Sequence, residues 1–281
     1  MRVASLILLL TLGCSSEPVT SAAAGDASEI IDTSATSDSA SAIDSALVDT
    51  ATSTDVADTR DAARFDILGT LNGECSGLLA ELSKPTPFLE DNLVVFVMSE
   101  KYVKESMSVP DGQRIFEAAN AGGSSGESEV MSFEILHYCD DAALVKTETE
   151  VLYAPPDDSG ANSITDILVS IGGKKVGVSV TRAYKPAPMV MTDVETKALL
   201  EKKLDGINRS SMRVLPADKW VKQILHVFVA NAEAEGAVKR VLPTIAAAKR
   251  ADTIVVLTRT TGGGFIYCNP DPALGSECPP I

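Results

Sequence analysis

The chain has 281 residues and a formal net charge of −15, with two histidines and five cysteines. Two histidines leave no Ser-His-Asp set to assemble, and cysteines without a C-x-x-C pair do not make a zinc site. The charge is uneven: residues 65–173 carry 19 acids and 5 bases, or −14, and residues 174–281 carry 10 acids and 16 bases, or +6. A uniformly acidic surface would argue against a polyanion partner, whereas a basic half leaves nucleic acid open; the simpler reading is a dipolar protein with no such partner.

The first residues, MRVASLILLLTLGC, join Arg2 to an apolar run from Val3 to Leu12. That run is too short to span a bilayer and fits a signal peptide. With Gly13 directly before Cys14 it resembles a bacterial lipoprotein signal, although Thr11 stands where that pattern has leucine; the alternative is an ordinary secretory signal. The resemblance implies a signal over residues 1–13 and an acylated Cys14. The chain would then be lipid-anchored to a bacterial membrane in the cell envelope, at the outer membrane or the cell surface. Residues 14–64 are Ser, Thr, Ala and Asp with almost no large apolar content. Such a segment cannot bury enough surface to offset its ordering entropy, so we expect a disordered tether of roughly 40 Å reach. Residues 65–281 are long enough for one sizeable core. An exported compartment permits disulfides. Cys268 and Cys278 bracket the loop CNPDPALGSEC, which favours that pair and leaves Cys75 for Cys139.

The globular part opens with an irregular apolar stretch to about Met98. After the loop NAGGSSGESEV, Ser124 and Glu127 have capping-box spacing, and apolar positions from Val130 to Leu136 predict a helix to about Cys139. Three strands follow, ALVKTETEVLYAP, SITDILVSIGG and KKVGVSVTRAY, with Gly172-Gly173 as the turn between the last two. In the third, Val176, Val178 and Val180 share one face and Gly177, Ser179 and Thr181 the other. A second capping box, Thr192 with Glu195, opens a helix through KALLEKKLDGINR. A strand QILHVFVAN, a helix EAEGAVKRVLPTIAAAKR broken at Pro243, and a strand TIVVLTRT complete the series. This order predicts the α/β class, a mixed central sheet with flanking helices. His226 and Trp220 read as structural, His137 as incidental, and GGKKVG as a hairpin turn without Walker spacing.

A helix carrying acids, then a hairpin with Asp166 on its first arm and a polar pair on its second, resembles the PD-(D/E)XK nuclease fold. In that family an aspartate and a Glu-x-Lys triplet hold one or two divalent metals, Mg²⁺ or Mn²⁺, against a phosphodiester. Here Ser179 and Thr181 fill the triplet positions, and a neutral hydroxyl is a weak ligand for a hard cation. The resemblance therefore implies replacements. Glu150, with Glu148 on the same strand face, and Glu129 or Glu134 on the preceding helix would supply metal-binding acids beside Asp166, Lys203 a migrated lysine, and Arg182 a further cation. The segments GGSSGESEVMSFEIL, KTETEV, TDILVSIGG and GVSVTRA also resemble a family named after an AAC-rich mRNA clone; that likeness implies a fold and no activity. The expectation is a metal-dependent phosphodiester hydrolase or nucleic-acid binder, or else a non-catalytic interaction module that kept the fold and lost the metal site.

Overall fold

Seven strands form one sheet in the computed structural model, which describes residues 69–74, 76–85, 89–96, 102–119, 126–156 and 162–268. They are β1 (Gly69–Gly73), β2 (Leu89–Phe96), β3 (Ala143–Thr147), β4 (Ile167–Ile171), β5 (Lys174–Arg182), β6 (Lys222–Val229) and β7 (Thr253–Thr261), in the spatial order β1-β2-β7-β6-β5-β4-β3. β2, β7, β6 and β5 run parallel, and an antiparallel strand or hairpin closes each side. The helices are α1 (Leu78–Glu81), α2 (Lys104–Met107), α3 (Pro110–Glu117), α4 (Gly126–Asp140), α5 (Asp193–Arg213), α6 (Ala232–Val241) and α7 (Ala247–Arg250). The described residues lie in one compact unit, Asp55–Ile281. The mixed α/β sheet with flanking helices matches the class that the sequence predicts.

The sheet is covered on both faces. Val176, Val178, Val180, Ile224, Phe228, Ile254 and Val256 pack with Val130, Phe133 and Leu136 of α4. Leu225, Val227, Val255 and Leu257 pack on the other face with Leu200, Leu204 and Ile207 of α5 and Val238 of α6. All eight residues of β6 are buried, as expected of a central parallel strand covered on both sides. His226 sits in this core as a structural residue, its ring bonded to Ser132 Oγ and Thr258 Oγ1, each at 2.8 Å, and stacked on Phe228. Burial lowers its pKa to about 3, so it stays neutral.

The local signals act where their chemistry is self-contained. Gly172 and Gly173 take φ of +55° and +76°, the pair of positive values that a two-residue hairpin turn requires. Thr192 Oγ1 accepts the Glu195 N–H and Glu195 Oε2 accepts the Thr192 N–H, closing the capping box of α5. Replacing Thr192 by alanine is expected to cost about 1 kcal/mol, read as a lower urea midpoint with an unchanged slope. Pro243 ends α6 in a 3₁₀ turn, Leu242–Thr244, before α7. The Ser124 cap lies outside the described residues.

Two expectations need correction. The stretch read as irregular contains β1 and β2. In β2 the buried face is Glu90, Asn92, Val94 and Phe96, so half of its inward positions are polar and the apolar alternation is hidden. The second concerns KTETEV, where the strand stops at Thr147 and Glu148–Glu150 form a 3₁₀ turn. Glu148 and Glu150 therefore do not share a strand face. Cys139 and Cys268 are each disulfide-bonded; Cys75 and Cys278 lie outside the described residues.

Candidate functional site

The β4–β5 hairpin is uneven at its open end, and this places Asp166. β4 pairs with β5 from Ile171↔Lys174 to Ile167↔Val178, and β5 runs four residues further. Beyond that point the backbone of Val180 has no β4 partner, and two side chains replace it. The Val180 N–H donates to Asp166 Oδ2 at 2.5 Å, and Lys203 Nζ of α5 donates to the Val180 carbonyl at 2.8 Å. Burial raises the pKa of Asp166, while the Lys203 ammonium and the Val180 N–H pull it down. Lys203, the migrated lysine that the resemblance implies, thus acts on the aspartate.

Asp166 also lines a cavity of about 40 Å³ with Glu129 of α4, Glu148 of the 3₁₀ turn, Thr147, and Ile115 and Phe116 of α3. Three acidic residues from three segments of the chain thus line one small space. Glu129 is 6% exposed, and Glu148 and Asp166 keep partial solvent contact. Arg182, at the carboxyl end of β5, interacts electrostatically with Glu127 and Glu129, and burial lowers its pKa against their attraction. Its Nη1 also donates to the Ile266 carbonyl at 3.4 Å. The ensemble lies outside the carboxyl end of a parallel strand, where open α/β sheets place their ligands.

The other predicted residues stand elsewhere. Glu150 caps its own 3₁₀ turn, accepting the Thr147 N–H at 2.9 Å, and pairs with Arg114 of α3 at 2.6 Å. The bond from Arg114, followed by the one from Thr147, lowers its pKa. The signal was available, since Thr147-x-x-Glu150 has capping-box spacing. Glu134 is fully buried under the start of α3, where its Oε1 accepts the Val109 N–H at 3.0 Å, and burial raises its pKa to about 8. Ser179 and Thr181 are buried, on the strand face away from Val178 and Val180, and are not among the residues lining the cavity. Glu148 takes the place that the sequence assigned to Glu150.

Among the described residues no three His, Cys, Asp or Glu side chains form a group able to hold a metal ion by themselves. The donor set is nevertheless of the right chemistry for Mg²⁺ or Mn²⁺. Mg²⁺ commonly takes one or two carboxylates and completes its shell with water and substrate phosphates. Glu129, Glu148 and Asp166, which line one cavity, carry hard oxygen donors of that kind.

No family model matches the chain. It is similar to the AAC-rich mRNA clone AAC4 protein of Dictyostelium discoideum, 37% identical over 163 residues, which cover 56% of this chain and 23% of that protein. The chain thus spans less than a quarter of that relative's length. Among solved structures it matches Pyrococcus furiosus SfsA in complex with Ca²⁺, at 11% identity over 48% of this chain and 55% of that one. The TM-score is 0.25, a superposition too loose to bear on fold or function.

Proposed function

We propose that the domain is a divergent nuclease-like hydrolase that acts on a phosphodiester with Mg²⁺ or Mn²⁺. One observation carries this: Glu129, Glu148 and Asp166 line a single cavity, with Lys203 bonded to the strand end that also holds Asp166. The metal would be held by two of these carboxylates, and when bound it supplies an activated water and neutralises phosphate charge. Burial raises the pKa of Asp166, and a carboxylate ligand must be deprotonated, so metal affinity is expected to rise with pH. Lys203 supplies the ammonium that Thr181 cannot, and the Arg182 guanidinium is the donor for non-bridging phosphate oxygens. Calorimetry of the purified chain with MgCl₂ and MnCl₂, alongside DNA and RNA cleavage assays, tests this. Heat of binding with cleavage is expected, and neither appearing would overturn it.

A second reading is an interaction module without catalysis. It is favoured by Asp166 and Lys203 finishing the edge of β5, a structural task that keeps both residues without any substrate. Its surface would be the basic half around Arg182, Lys203 and Arg209, and its partner a protein or a nucleic acid.

For the amino-terminal part the proposal is export, acylation at Cys14 and a tether over residues 14–64 holding the domain off a membrane. Among the described residues no helix is long and apolar enough to cross one. Cys14→Ser is expected to leave unprocessed precursor or release a soluble form; a mature acylated species of that variant still in the membrane fraction would disprove it. The paired cysteines are proposed as Cys75 with Cys139 and Cys268 with Cys278.

A further inference from the structure

We infer that the chain carries a second, separate cation site, in which Glu90 and Asn92 of β2 and Asp140 at the end of α4 hold a hard divalent cation such as Ca²⁺. The site lies at the other end of α4 from Glu129. Eleven residues of helix separate Glu129 from Asp140, about 16 Å along the axis.

Glu90 and Asn92 point inward from one face of β2 and are 1% and 3% exposed. Asn92 Nδ2 donates to Glu90 Oε1 at 3.3 Å. Glu90 Oε2 and Asn92 Oδ1 are buried and have no hydrogen-bond partner. Glu90 Oε2 lies near Gly77, just before α1, and Asn92 Oδ1 near Gly73 at the end of β1. A Cβ on Gly77 would stand 3.5 Å from Glu90 Oε2, and one on Gly73 would stand 3.2 Å from Asn92 Oδ1. Asp140 reaches the same region from α4, its Oδ1 held by the Leu78 N–H at 2.9 Å. Glu74 is fixed there by its Oε2 accepting the Asp91 N–H at 3.2 Å, and Glu81 stands on α1 paired with Lys84.

The charge points the same way. Asp140, Glu74 and Glu81 all act on Glu90 with the repulsion of like charge, on top of its burial. Asp140 also stands at the carboxyl end of α4, where the helix dipole disfavours an anion. A proton on Glu90 Oε2 would turn it into a donor able to reach one acceptor, but it would leave the charges of Asp140, Glu74 and Glu81 in place. A divalent cation serves both oxygens and relieves the repulsion among the acids. Two carboxylates and an amide oxygen are the hard, mixed-oxygen donors that Ca²⁺ accepts, and water completes the shell. A site of so few protein ligands is expected to bind weakly, with Kd of about 10⁻⁴ to 10⁻³ M.

The test is calorimetric titration of the purified chain with CaCl₂, paired with thermal melts in millimolar CaCl₂ and in chelator. Wild type is expected to bind Ca²⁺ and to melt a few degrees higher with it. Glu90→Gln removes the charge but keeps the shape, so it should fold and lose both responses. Asn92→Ala, a second variant with no change of charge, should weaken binding at least tenfold. Asp166→Asn removes any Ca²⁺ taken up at the cavity and should keep the part of the response that Glu90→Gln loses, which separates the two sites. No Ca²⁺ heat and an unmoved melting temperature in wild type would overturn the inference. So would a Glu90→Gln protein that responds like wild type, or a response lost in Asp166→Asn and kept in Glu90→Gln.

Discussion

Asp166→Asn is expected to abolish Mg²⁺ or Mn²⁺ binding and phosphodiester cleavage while leaving the melting temperature unchanged or higher. The two effects separate because the side chain has two tasks. Its structural one is to accept the Val180 N–H, and an asparagine carbonyl oxygen in the same position still accepts that bond. Lys203 keeps its own bond to the Val180 carbonyl. The functional task needs a negative charge facing Glu129 and Glu148, and an amide lacks it. Burial opposes the charge of this carboxyl, so its replacement by a neutral amide that keeps the Val180 bond is expected to cost the fold little. Activity should fall by about a hundredfold or more if Asp166 holds the ion, since metal catalysis contributes several kcal/mol. A wild-type chain without cleavage, without metal heat and with a melting temperature unmoved by either ion, beside an equally stable variant, would leave the interaction module as the remaining reading.

Stability is expected to fall as pH rises from about 5 to about 8, by several kcal/mol in calcium-free buffer. Glu90 and Glu134 carry pKa values pushed up to about 8 from an ordinary 4.5, in both cases first by burial. Between those values the folded state keeps protons that the unfolded chain releases, so the stability they contribute is full below about 4.5 and lost on passing 8. His226 works in the opposite sense. Its folded pKa is about 3 against an ordinary 6.5, so its contribution is present above 6.5 and lost as pH falls toward 3. Two carboxyls outweigh one imidazole between 4.5 and 6.5, and above 6.5 the carboxyls act alone. A tenfold change in proton affinity between folded and unfolded chain corresponds to about 1.4 kcal/mol, which puts the total loss on the order of 5 kcal/mol. Urea midpoints at the two ends of the range measure it. Glu90→Gln combined with Glu134→Gln should flatten the dependence, and equal wild-type midpoints at both ends would contradict it.

The elements legible in the sequence are those whose signals are local. The Gly172-Gly173 turn needs two positive φ values that glycine alone adopts cheaply, and the Thr192 cap needs two residues three apart. Pro243 lacks the N–H a helix requires, so the break there follows from one residue. Lys203, which the nuclease resemblance offers as a migrated lysine, stands where its ammonium acts on Asp166 and bonds the Val180 carbonyl. Pairings and burials between distant segments were not legible. β2 exists as a strand between β1 and β7, and its parallel contact with Thr253–Thr261 joins residues more than 150 apart, for which no short-range pattern exists. Glu134 and Glu90 look like ordinary surface acids until α3 and the β1–α1 segment close over them. Glu150 caps its own 3₁₀ turn and pairs with Arg114 of α3, whereas Glu148 lines the cavity. Residue order alone was enough for the class of sheet, the hairpin and the aspartate that ends it. Which carboxylates meet that aspartate was left to packing, because a side chain's neighbours across a fold depend on where whole elements come to rest.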